Sequence, residues 1–382
     1  MGDDVSVWLF WISWWFLFYA YAGYPLLLWM LARLRPAPVR ADAQDTPLVS
    51  LIIAAYNEER SIARKLEETL TYDYPRDRLE VIVASDGSTD ATDRIVSGYG
   101  GRGVKLVRNE PRQGKTAAQN KAVETARGHI LLFSDATTKW DPDTLRMLVR
   151  NFHDAGVGCV GGEEYFLPEG GIAREAHFFW KYEKFIRRCE SRIRSVIGVS
   201  GCVFGIRREL YLPLSDSLIE DFALPLAVIR SGFRCVCEPR ARAYEAAAPD
   251  ISAEFARKSR IVSNGMRVVW HMRALLNVVR FPLPAWQLFS HKICRWLAPV
   301  AMAVLFLSTL FGPGGSAFVA AAGIAQLIFY TFACTGFLLR LRPRTPVWIR
   351  MPYHFCLMNI AALSGLGKFF RGERKVLWEP VR

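Results

Sequence analysis

The chain has 382 residues, of which 51% are hydrophobic, and a formal net charge of +13 at pH 7. A basic chain of this kind suits nucleic acid, anionic lipid or phosphorylated substrates. We expect no nucleic-acid partner, because the sequence has no zinc-finger, RNP or helix-turn-helix pattern. The eight cysteines form no CxxC pair and accompany no histidine cluster, so they predict reduced and mostly buried thiols rather than a zinc site.

The first segment is an apolar run from Val5 to Ala32, rich in tryptophan and preceded by two aspartates. It is too long for the apolar part of a signal peptide, and its tryptophans suit a membrane interface. We therefore predict a retained transmembrane helix over residues 1–34. Arg33, Arg35 and Arg40 follow it, and the positive-inside rule places the next segment in the cytosol.

Residues 47–248 have the pattern of an α/β domain with a mostly parallel sheet. Short apolar runs rich in β-branched residues alternate with segments of helical spacing, and polar turns separate them. The runs predict strands at residues 48–55, 79–85, 104–108 and 129–134, with a helix at residues 116–126. Repetition of strand, polar turn and helix predicts a doubly wound sheet.

Three acids follow three of these predicted strands. Glu58, Asp86 and Asp135 each stand at or just past a carboxyl end, the edge at which open α/β sheets bind ligands. Taken singly, each acid suits an ordinary turn or helix cap. Together they suit nucleoside hydrogen bonds and a divalent cation on a diphosphate. The sequence contains neither a Walker lysine loop nor a GxGxxG turn, so ATPase and dinucleotide functions lack their phosphate cradle.

Basic and apolar residues alternate after the α/β domain. This pattern predicts amphipathic helices over residues 249–290, lying in the plane of the lipid headgroups from Arg267 onwards. Among the apolar positions expected to form the lipid-facing stripe are Val262, Val269 and Trp270.

No charged residue lies between Arg295 and Arg340, and a Gly-Pro-Gly-Gly-Ser break at residues 312–316 divides this run. Each half is long enough to cross a bilayer, so we predict a transmembrane hairpin within residues 291–370. Residues 351–367 form a further apolar stretch with basic flanks at both ends. A crossing, a re-entrant segment and an interfacial helix all remain open for it. Residues 371–382 are expected to be a basic cytosolic tail.

Seven segments together resemble the membrane-bound family-2 glycosyltransferases, the group that includes cellulose, chitin and hyaluronan synthases. In order they are AAYNEE (54–59), ASDGSTDAT (84–92), GKTAAQNKA (114–122), FSDATT (133–138), SGCVFGIRRELY (200–211), IEDF (219–222) and FARKSR (255–260). The resemblance covers nearly the whole chain. It implies a GT-A type fold and transfer of a sugar from a nucleotide-sugar with inversion at the anomeric carbon.

The resemblance also implies a role for individual residues. The nucleotide, expected to be uridine diphosphate, would contact Ala54, Tyr56, Glu58, Asp86, Ser88 and Lys115. Asp135 takes the first place of the family's metal-binding DxD, and Thr137 stands where its second acid would be. We therefore expect Mg²⁺ or Mn²⁺ on Asp135, diphosphate oxygens and water, with another protein ligand left open.

Catalysis is expected at the acidic pair Glu220 and Asp221, with Asp221 as the general base by motif position. Its structural alternative is a helix N-cap. The resemblance places diphosphate and acceptor contacts on Gly201, Cys202, Arg257, Lys258 and Arg260. Residues 255–260 lack the Gln and Trp of the QxxRW motif that processive synthases show.

Three functions follow from these features. The first is a single-addition glycosyltransferase that uses a nucleotide-sugar donor and a lipid-linked or growing glycan acceptor, in polysaccharide or glycolipid synthesis. The second is a processive polysaccharide synthase, which the altered QxxRW disfavours. The third is a non-catalytic membrane scaffold with a degenerate nucleotide pocket. In each case the protein is expected in contact with membrane lipids, as a multi-pass protein of the plasma (bacterial inner) membrane with a cytosolic catalytic domain.

Overall fold

The computed structural model describes residues 2–167, 173–247, 250–311, 316–340 and 345–373. The helices are α1 (Gly2–Phe18), α2 (Tyr24–Leu34), α3 (Ile62–Thr69), α4 (Thr92–Ser97), α5 (Lys115–Thr125), α6 (Thr144–Val149), α7 (Ala173–Ile193), α8 (Glu220–Arg230), α9 (Ile251–His271), α10 (Pro282–Gln287), α11 (Cys294–Phe311), α12 (Ala317–Leu338) and α13 (Val347–Phe370). The strands are β1 (Val49–Ala55), β2 (Leu79–Asp86), β3 (Val104–Asn109), β4 (Ile130–Asp135), β5 (Lys139–Trp140), β6 (Val157–Leu167), β7 (Phe204–Arg207) and β8 (Arg234–Ala246). Apart from residues 316 and 371–373, the predicted turn at 312–316 and the predicted basic tail lie outside the described residues.

The strands form one mixed sheet in the order β3-β2-β1-β4-β7-β6-β8-β5. The first four strands in that order run parallel to one another, as do β6 and β8. β7 is antiparallel to both of its neighbours, and the short β5 is antiparallel to β8 at the edge. The predicted α/β class with a mostly parallel sheet is confirmed, and the four predicted strands are its parallel half.

The parallel half is buried on both faces, which explains its continuous apolar runs. Every residue of β1 is buried. Ile52, Phe133 and Phe204 pack on one face, where the last two rings stack with centroids 4.7 Å apart. Leu51 and Leu132 pack on the other face. Helices on both faces thus shield the strands from water and leave only their ends accessible.

The strand register brings the predicted acids to one edge. Ala54 of β1 pairs with Ala84 of β2 on one side and with Asp135 of β4 on the other. Asp86, two residues past Ala84, pairs with Asn109 at the end of β3. Because these strands are parallel and in step, their carboxyl ends form a continuous rim that carries both aspartates.

Among the residues that the structure describes, three helical segments are long and apolar enough to cross a membrane, namely Val5–Leu34, Pro282–Phe311 and Ala317–Leu338. The first runs through α1 and α2 by way of a π-helical turn at Tyr19–Gly23, and it corresponds to the predicted N-terminal helix. The other two are the arms of the predicted hairpin. At 1.5 Å per residue, the 30-residue segments are about 45 Å long and exceed a hydrocarbon core of roughly 30 Å.

The membrane helices are attached to the α/β domain by specific contacts. Tyr24 and Leu28 of α2 pack against Ile186 and Cys189 of α7 in a small buried cluster. The Tyr24 hydroxyl donates a hydrogen bond to Glu190 Oε1 at 2.7 Å. This polar contact, buried at the junction, holds the first membrane helix in one position relative to the sheet.

The predicted interfacial segment differs from expectation. Val269 of α9, expected to lie in the headgroup plane, is buried within the protein, as is Val262. α9 packs against α13, which covers residues 351–367, and the close approach needs Gly365, whose Cα lies over Ser259 and Val262. Trp270 is 65% exposed and still suits the headgroup plane. A helical period alone does not distinguish a lipid-facing stripe from one that another helix covers.

We predict that Gly365→Ala lowers the melting temperature of the detergent-solubilised protein. An added Cβ would lie 2.6 Å from the Ser259 carbonyl oxygen and 2.8 Å from Val262 Cβ. Overpacking of this kind costs about 1–3 kcal/mol. Gly367→Ala is the control, because its nearest neighbour is the flexible end of Arg371 at 3.7 Å. Equal melting temperatures for the two variants would contradict the close packing of α9 and α13.

Candidate active site

The centre of the site is one lysine shared between two acids. Lys115 Nζ lies 2.7 Å from Asp135 Oδ1 and 2.9 Å from Glu220 Oε1. It also donates to the Gly201 carbonyl oxygen at 3.4 Å. These groups come from the start of α5, the end of β4, the start of α8 and the loop before β7. Lys115, predicted to contact the nucleotide, therefore joins the predicted metal ligand to the predicted catalytic pair.

Asp86 positions that lysine through the loop that precedes it. Its carboxylate accepts hydrogen bonds from Asn109 Nδ2 at 3.0 Å and from the backbone N–H groups of Gln113 and Gly114 at 2.9 and 2.8 Å. Gly114 has φ of 106°, a value that favours glycine, and α5 begins at the next residue. A carboxylate has about four lone-pair sites. Asp86 thus uses three of them internally, and Arg112 Nε lies 3.7 Å from its Oδ2.

Asp221 lies in the first turn of α8, where the helix dipole stabilises a carboxylate. Pro225 in the same helix has no N–H, so the Asp221 carbonyl lacks its usual helical donor. Val199 N–H supplies the missing hydrogen bond at 2.9 Å. A Cβ added to Gly201 would lie 3.4 Å from Asp221 Oδ2. Because Pro225 has no N–H, the Asp221 carbonyl is free to accept from the loop at residues 199–201 and so holds it. Gly201 has no side chain and leaves space in front of the Asp221 carboxylate.

Burial perturbs the titration of this cluster. Burial first, and the charge of Glu220 second, raise the pKa of Asp221 to about 7, although Lys115, Arg187 and Lys292 lower it. Burial also raises the pKa of Asp135, against the influence of Lys115. The two carboxylates hold the pKa of Lys115 well above its usual value although burial lowers it. Asp221 thus has the proton affinity of a general base at neutral pH.

The predicted nucleotide contacts lie along the rim of β1 and β2. The Arg112 guanidinium stacks on the Tyr56 ring, 3.4 Å from its centroid. Ser88 is buried, and its hydroxyl accepts from Asn57 N–H at 3.1 Å, which ties the β1 loop to the β2 loop. The Ala54 carbonyl accepts from Ala136 N–H at 3.1 Å, so only the backbone of Ala54 borders the rim.

Glu58 is buried beside these residues, and its N–H donates to Thr92 Oγ1 at 2.7 Å. Glu58 and Ser88 thus take part in hydrogen bonds that hold the β1 loop and the β2 loop together. Their role in nucleotide binding stays a prediction.

The donor groups near Asp135 are compatible with Mg²⁺ or Mn²⁺, since these ions prefer oxygen ligands. Thr137, in place of the second DxD acid, is exposed. One further group of possible metal ligands consists of Glu164, Cys202 and Glu245, whose ligand atoms lie within 4.8 Å of one another. The Thr138 hydroxyl donates to Glu245 Oε1 at 2.7 Å, and Thr138 is three residues after Asp135 in the chain.

The acceptor contact expected at Cys202 stays a prediction. Its side chain is buried, and burial raises the pKa of the thiol well above its usual value. Its carbonyl accepts a hydrogen bond from Trp140 Nε1 at 3.0 Å. Cys202 packs beneath the site, and Glu164 and Glu245 are the oxygen donors of this group.

The predicted diphosphate and acceptor cations lie on α9. Arg257 forms a two-pronged ion pair with Glu254, at 2.8 and 2.9 Å. Lys258 Nζ lies 4.6 Å from the centroid of the Phe179 ring. The acids Asp221 and Glu220 raise the pKa of Arg260, although burial and Arg257 lower it overall. Among these three α9 cations, Arg260 is the one whose pKa the charges of Glu220 and Asp221 raise.

Sequence reasoning missed several charged residues around this site. Arg187 and Glu183 on α7, and Lys292 and Arg295 at the start of a membrane segment, form one ion-pair network. Lys292 Nζ lies 5.9 Å from the centroid of Phe222, the residue after Asp221. The basic residues before the hairpin were visible in the sequence as a topology signal, but nothing in their spacing pointed to Asp221.

Comparison with known proteins finds relatives of the α/β domain. Residues 50–212 match the family model "Glycosyl transferase family 2". Glycosyltransferase AglE of Haloferax volcanii is 33% identical over 134 residues, which are 34% of this chain and 44% of AglE. Poly-beta-1,6-N-acetyl-D-glucosamine synthase of Staphylococcus epidermidis is 23% identical over 241 residues, 60% of this chain and 58% of the synthase. The chain thus spans about half the length of these relatives.

Among solved structures, the mannosyltransferase PcManGT from Pyrobaculum calidifontis, in complex with GDP-Man and Mn²⁺, is similar over nearly its whole length. Its TM-score is 0.72 at 23% sequence identity, and the match covers 98% of this chain and 100% of that one. At this identity the likeness concerns the fold. The predicted GT-A type architecture, with membrane helices at both ends of the α/β domain, is confirmed.

We predict that Lys115→Met destabilises the protein. The substitution leaves the Asp135 and Glu220 carboxylates buried without their shared cation, and loss of one member of a buried ion pair costs about 3–5 kcal/mol. The melting temperature in detergent should fall, and Mn²⁺ should restore part of the loss if a metal takes the place of the ammonium. Lys121→Met, on an exposed position of the same helix, is the control. An unchanged melting temperature would contradict the central role of Lys115.

We predict that transfer activity rises with pH through about 7, the pKa of Asp221. A carboxylate accepts a proton only when ionised, so kcat/KM should increase about tenfold between pH 6 and pH 8. Asp216→Asn, in the exposed loop before α8, should keep the same profile. A flat profile over this range would argue against Asp221 as the base.

Proposed function

We propose that the chain transfers a sugar from a nucleotide-sugar to a glycan or lipid-linked acceptor at the membrane surface, with inversion at the anomeric carbon, because its α/β domain matches the family-2 glycosyltransferase model. The observation that supports this proposal most is the convergence of Asp135, Lys115, Glu220 and Asp221 around Gly201. UDP-sugars are the first donors to test, and GDP-sugars the next.

Asp221 is the proposed general base. Its carboxylate faces the space left by Gly201, where an acceptor hydroxyl would lie. As the hydroxyl oxygen bonds to the anomeric carbon, its proton passes to Asp221 and the bond from that carbon to the diphosphate breaks. A raised proton affinity suits this step, because a base that titrates near neutrality accepts a proton most effectively there.

The nucleoside diphosphate is the proposed leaving group. Asp86 and the Tyr56–Arg112 stack would hold the nucleoside. Lys115 and Arg260 would stabilise the negative charge that develops on the diphosphate. A divalent metal, when bound on Asp135, would add to that stabilisation, and Glu245 is the carboxylate available in place of the second DxD acid.

The membrane position of the site supports a surface reaction. Phe222, the neighbour of Asp221, packs edge-on against Trp296 of α11 with ring centroids 6.4 Å apart. α11 belongs to a segment long enough to span a bilayer. The catalytic turn of α8 is therefore in direct contact with the membrane part of the chain. We place it on the cytosolic side of the plasma (bacterial inner) membrane, because arginines 33, 35 and 40 follow the first helix.

We predict that Asp221→Asn abolishes sugar transfer and leaves UDP binding within about twofold of the wild type, since the base lies away from the nucleotide rim. The measurement is release of nucleotide from a panel of UDP- and GDP-sugars with Mn²⁺, beside thermal shift with UDP alone. Chelation of the metal should suppress the wild-type reaction. Asp216→Asn is the matched control.

Each other outcome selects a different function. Full transfer by Asp221→Asn would defeat the base assignment. Long polymer made by the purified wild type would identify a processive synthase. Absence of binding to every nucleotide in the panel would identify a non-catalytic scaffold.

A further inference from the structure

One buried lysine has no part in the proposed reaction and still reaches the loops of the site. Lys65 belongs to α3 and is 1% exposed. Its ammonium donates hydrogen bonds to the Thr138 carbonyl oxygen at 2.7 Å and to the Tyr72 hydroxyl at 3.5 Å. The centroid of the Trp140 ring lies 5.0 Å from Nζ. Among the residues that the structure describes, Lys65 forms no ion pair with a carboxylate.

A charge in this position opposes folding. Moving an ammonium from water into the interior is compensated only when an opposite charge and good hydrogen bonds surround it. The two hydrogen-bond partners of Lys65 are neutral oxygen atoms. A neutral donor would satisfy the Thr138 carbonyl without burying a charge. Groups that lower stability are typical of functional sites, so the ammonium calls for a functional explanation.

Thr138, which accepts from Lys65, fixes the turn that follows β4. This threonine is 1% exposed. Its N–H donates to the Asp135 carbonyl oxygen at 3.2 Å, and its hydroxyl donates to Glu245 Oε1 at 2.7 Å. Its carbonyl accepts from Lys65. Through these three polar groups of Thr138, helix α3 is joined both to the turn that begins at Asp135 and to the end of β8, which carries Glu245.

The carboxylates of the site also act on this ammonium through space. Burial lowers the pKa of Lys65 to about 8, whereas the charges of Glu68, Cys202, Asp135 and Glu245 raise it. Asp135 and Glu245 are partly exposed, and Lys65 is buried. The ammonium therefore attracts both carboxylates from the interior of the protein, while a ligand would approach them from the solvent side.

Asp135 and Glu245 are the two carboxylates proposed above for a divalent cation. Mg²⁺ and Mn²⁺ prefer oxygen ligands, and Mg²⁺ demands a nearly ideal octahedral geometry. Groups that hold a metal ligand by hydrogen bonds contribute to metal affinity, and their loss typically weakens binding about 10–100-fold. Thr138 holds both ligands, Asp135 through its backbone and Glu245 through its carboxylate. Lys65, which holds Thr138, can thus affect the cation without touching it.

We propose that Lys65 is a positioning residue for the divalent cation. By holding the Thr138 carbonyl, it fixes the turn that places the carboxylates of Asp135 and Glu245 for one ion. The proposal rests on the proposed function, and it concerns a residue outside the seven segments that resemble the family-2 glycosyltransferases.

Two other roles of Lys65 lead to different results. A purely structural lysine would contribute stability and leave cation binding unchanged. A lysine that acted only by its charge would repel the cation, so that its removal would strengthen cation binding. The positioning role alone predicts weaker cation binding without a matching loss of stability.

The test measures Mn²⁺ binding by the full chain in detergent, without nucleotide, from the electron paramagnetic resonance signal of the free ion. Lys65→Met should weaken Mn²⁺ binding at least about tenfold, and Lys65→Arg should restore part of it. The melting temperature of Lys65→Met should stay within about 4 °C of the wild-type value, because removal of a buried charge offsets the lost hydrogen bond to Thr138. Lys139→Met, which removes an exposed lysine next to Thr138, is the control and should bind Mn²⁺ as the wild type does.

Thr138→Val is a second variant, and it decides the question should Lys65→Met fail to fold. It removes the hydroxyl that holds Glu245, so it should also weaken Mn²⁺ binding, and Thr138→Ser should recover most of the affinity. The double variant with Lys65→Met should bind Mn²⁺ within about twofold of the weaker single variant, because residues that act on one turn are not additive.

Several results would overturn the proposal. Wild-type Mn²⁺ affinity in Lys65→Met or Thr138→Val would do so, with a large fall in melting temperature marking the contact as structural. Tighter Mn²⁺ binding by Lys65→Met would show that the lysine acts by repulsion. Full additivity in the double variant would separate the two residues, and a wild type that binds no Mn²⁺ would remove the cation site. A wild type that binds Mn²⁺ but neither UDP nor GDP would instead refute the proposed function and leave the positioning role standing.

Discussion

The active-site geometry depends on the Lys115 ammonium that Asp135 and Glu220 share. Two buried carboxylates from distant parts of the chain would repel each other, and a single cation between them turns that repulsion into attraction. The interaction joins the parallel half of the sheet to the helix that carries Asp221. It also makes the site sensitive to any other cation that enters, because a metal on Asp135 would compete with the ammonium for the same oxygen atoms.

Backbone contacts keep that geometry in place. Asp86 accepts two N–H groups of the loop before α5, and so sets where Lys115 begins its helix. Pro225 leaves the Asp221 carbonyl without a helical donor. The Val199 N–H donates to this carbonyl instead, and the hydrogen bond holds the neighbouring loop. In both cases an acidic residue that the motif associates with chemistry also organises the surrounding chain. A substitution at either position therefore alters structure as well as reactivity.

The membrane helices are part of the site rather than a passive anchor. Trp296 touches Phe222, and it also lies so close to α9 that a Cβ on Gly265 would be 2.7 Å from its ring. Glu183 on α7 binds Arg295 of the membrane segment. These contacts join the first turn of α8 and the helix α7 to the segment Pro282–Phe311.

Much of the fold follows from local pattern. The first strand was predicted at residues 48–55 and is Val49–Ala55, and the fourth was predicted at 129–134 and is Ile130–Asp135. Short apolar runs between polar turns leave little freedom in where a buried strand begins. The pattern of α9 was less informative, because a stripe at helical spacing looks the same whether lipid or α13 covers it.

The sequence by itself determined the class of sheet, the membrane segments and the placement of Asp86 and Asp135 at strand ends, because hydrophobic period and chain polarity are local properties. Only the tertiary structure decided that Lys115 lies between Asp135 and Glu220, that Cys202 is buried, and that Lys292 approaches the turn of Asp221. These are contacts between residues from tens to more than a hundred positions apart. Their geometry depends on how helices pack over the sheet and at the membrane surface. The hydrophobic periodicity of a single segment does not contain that information.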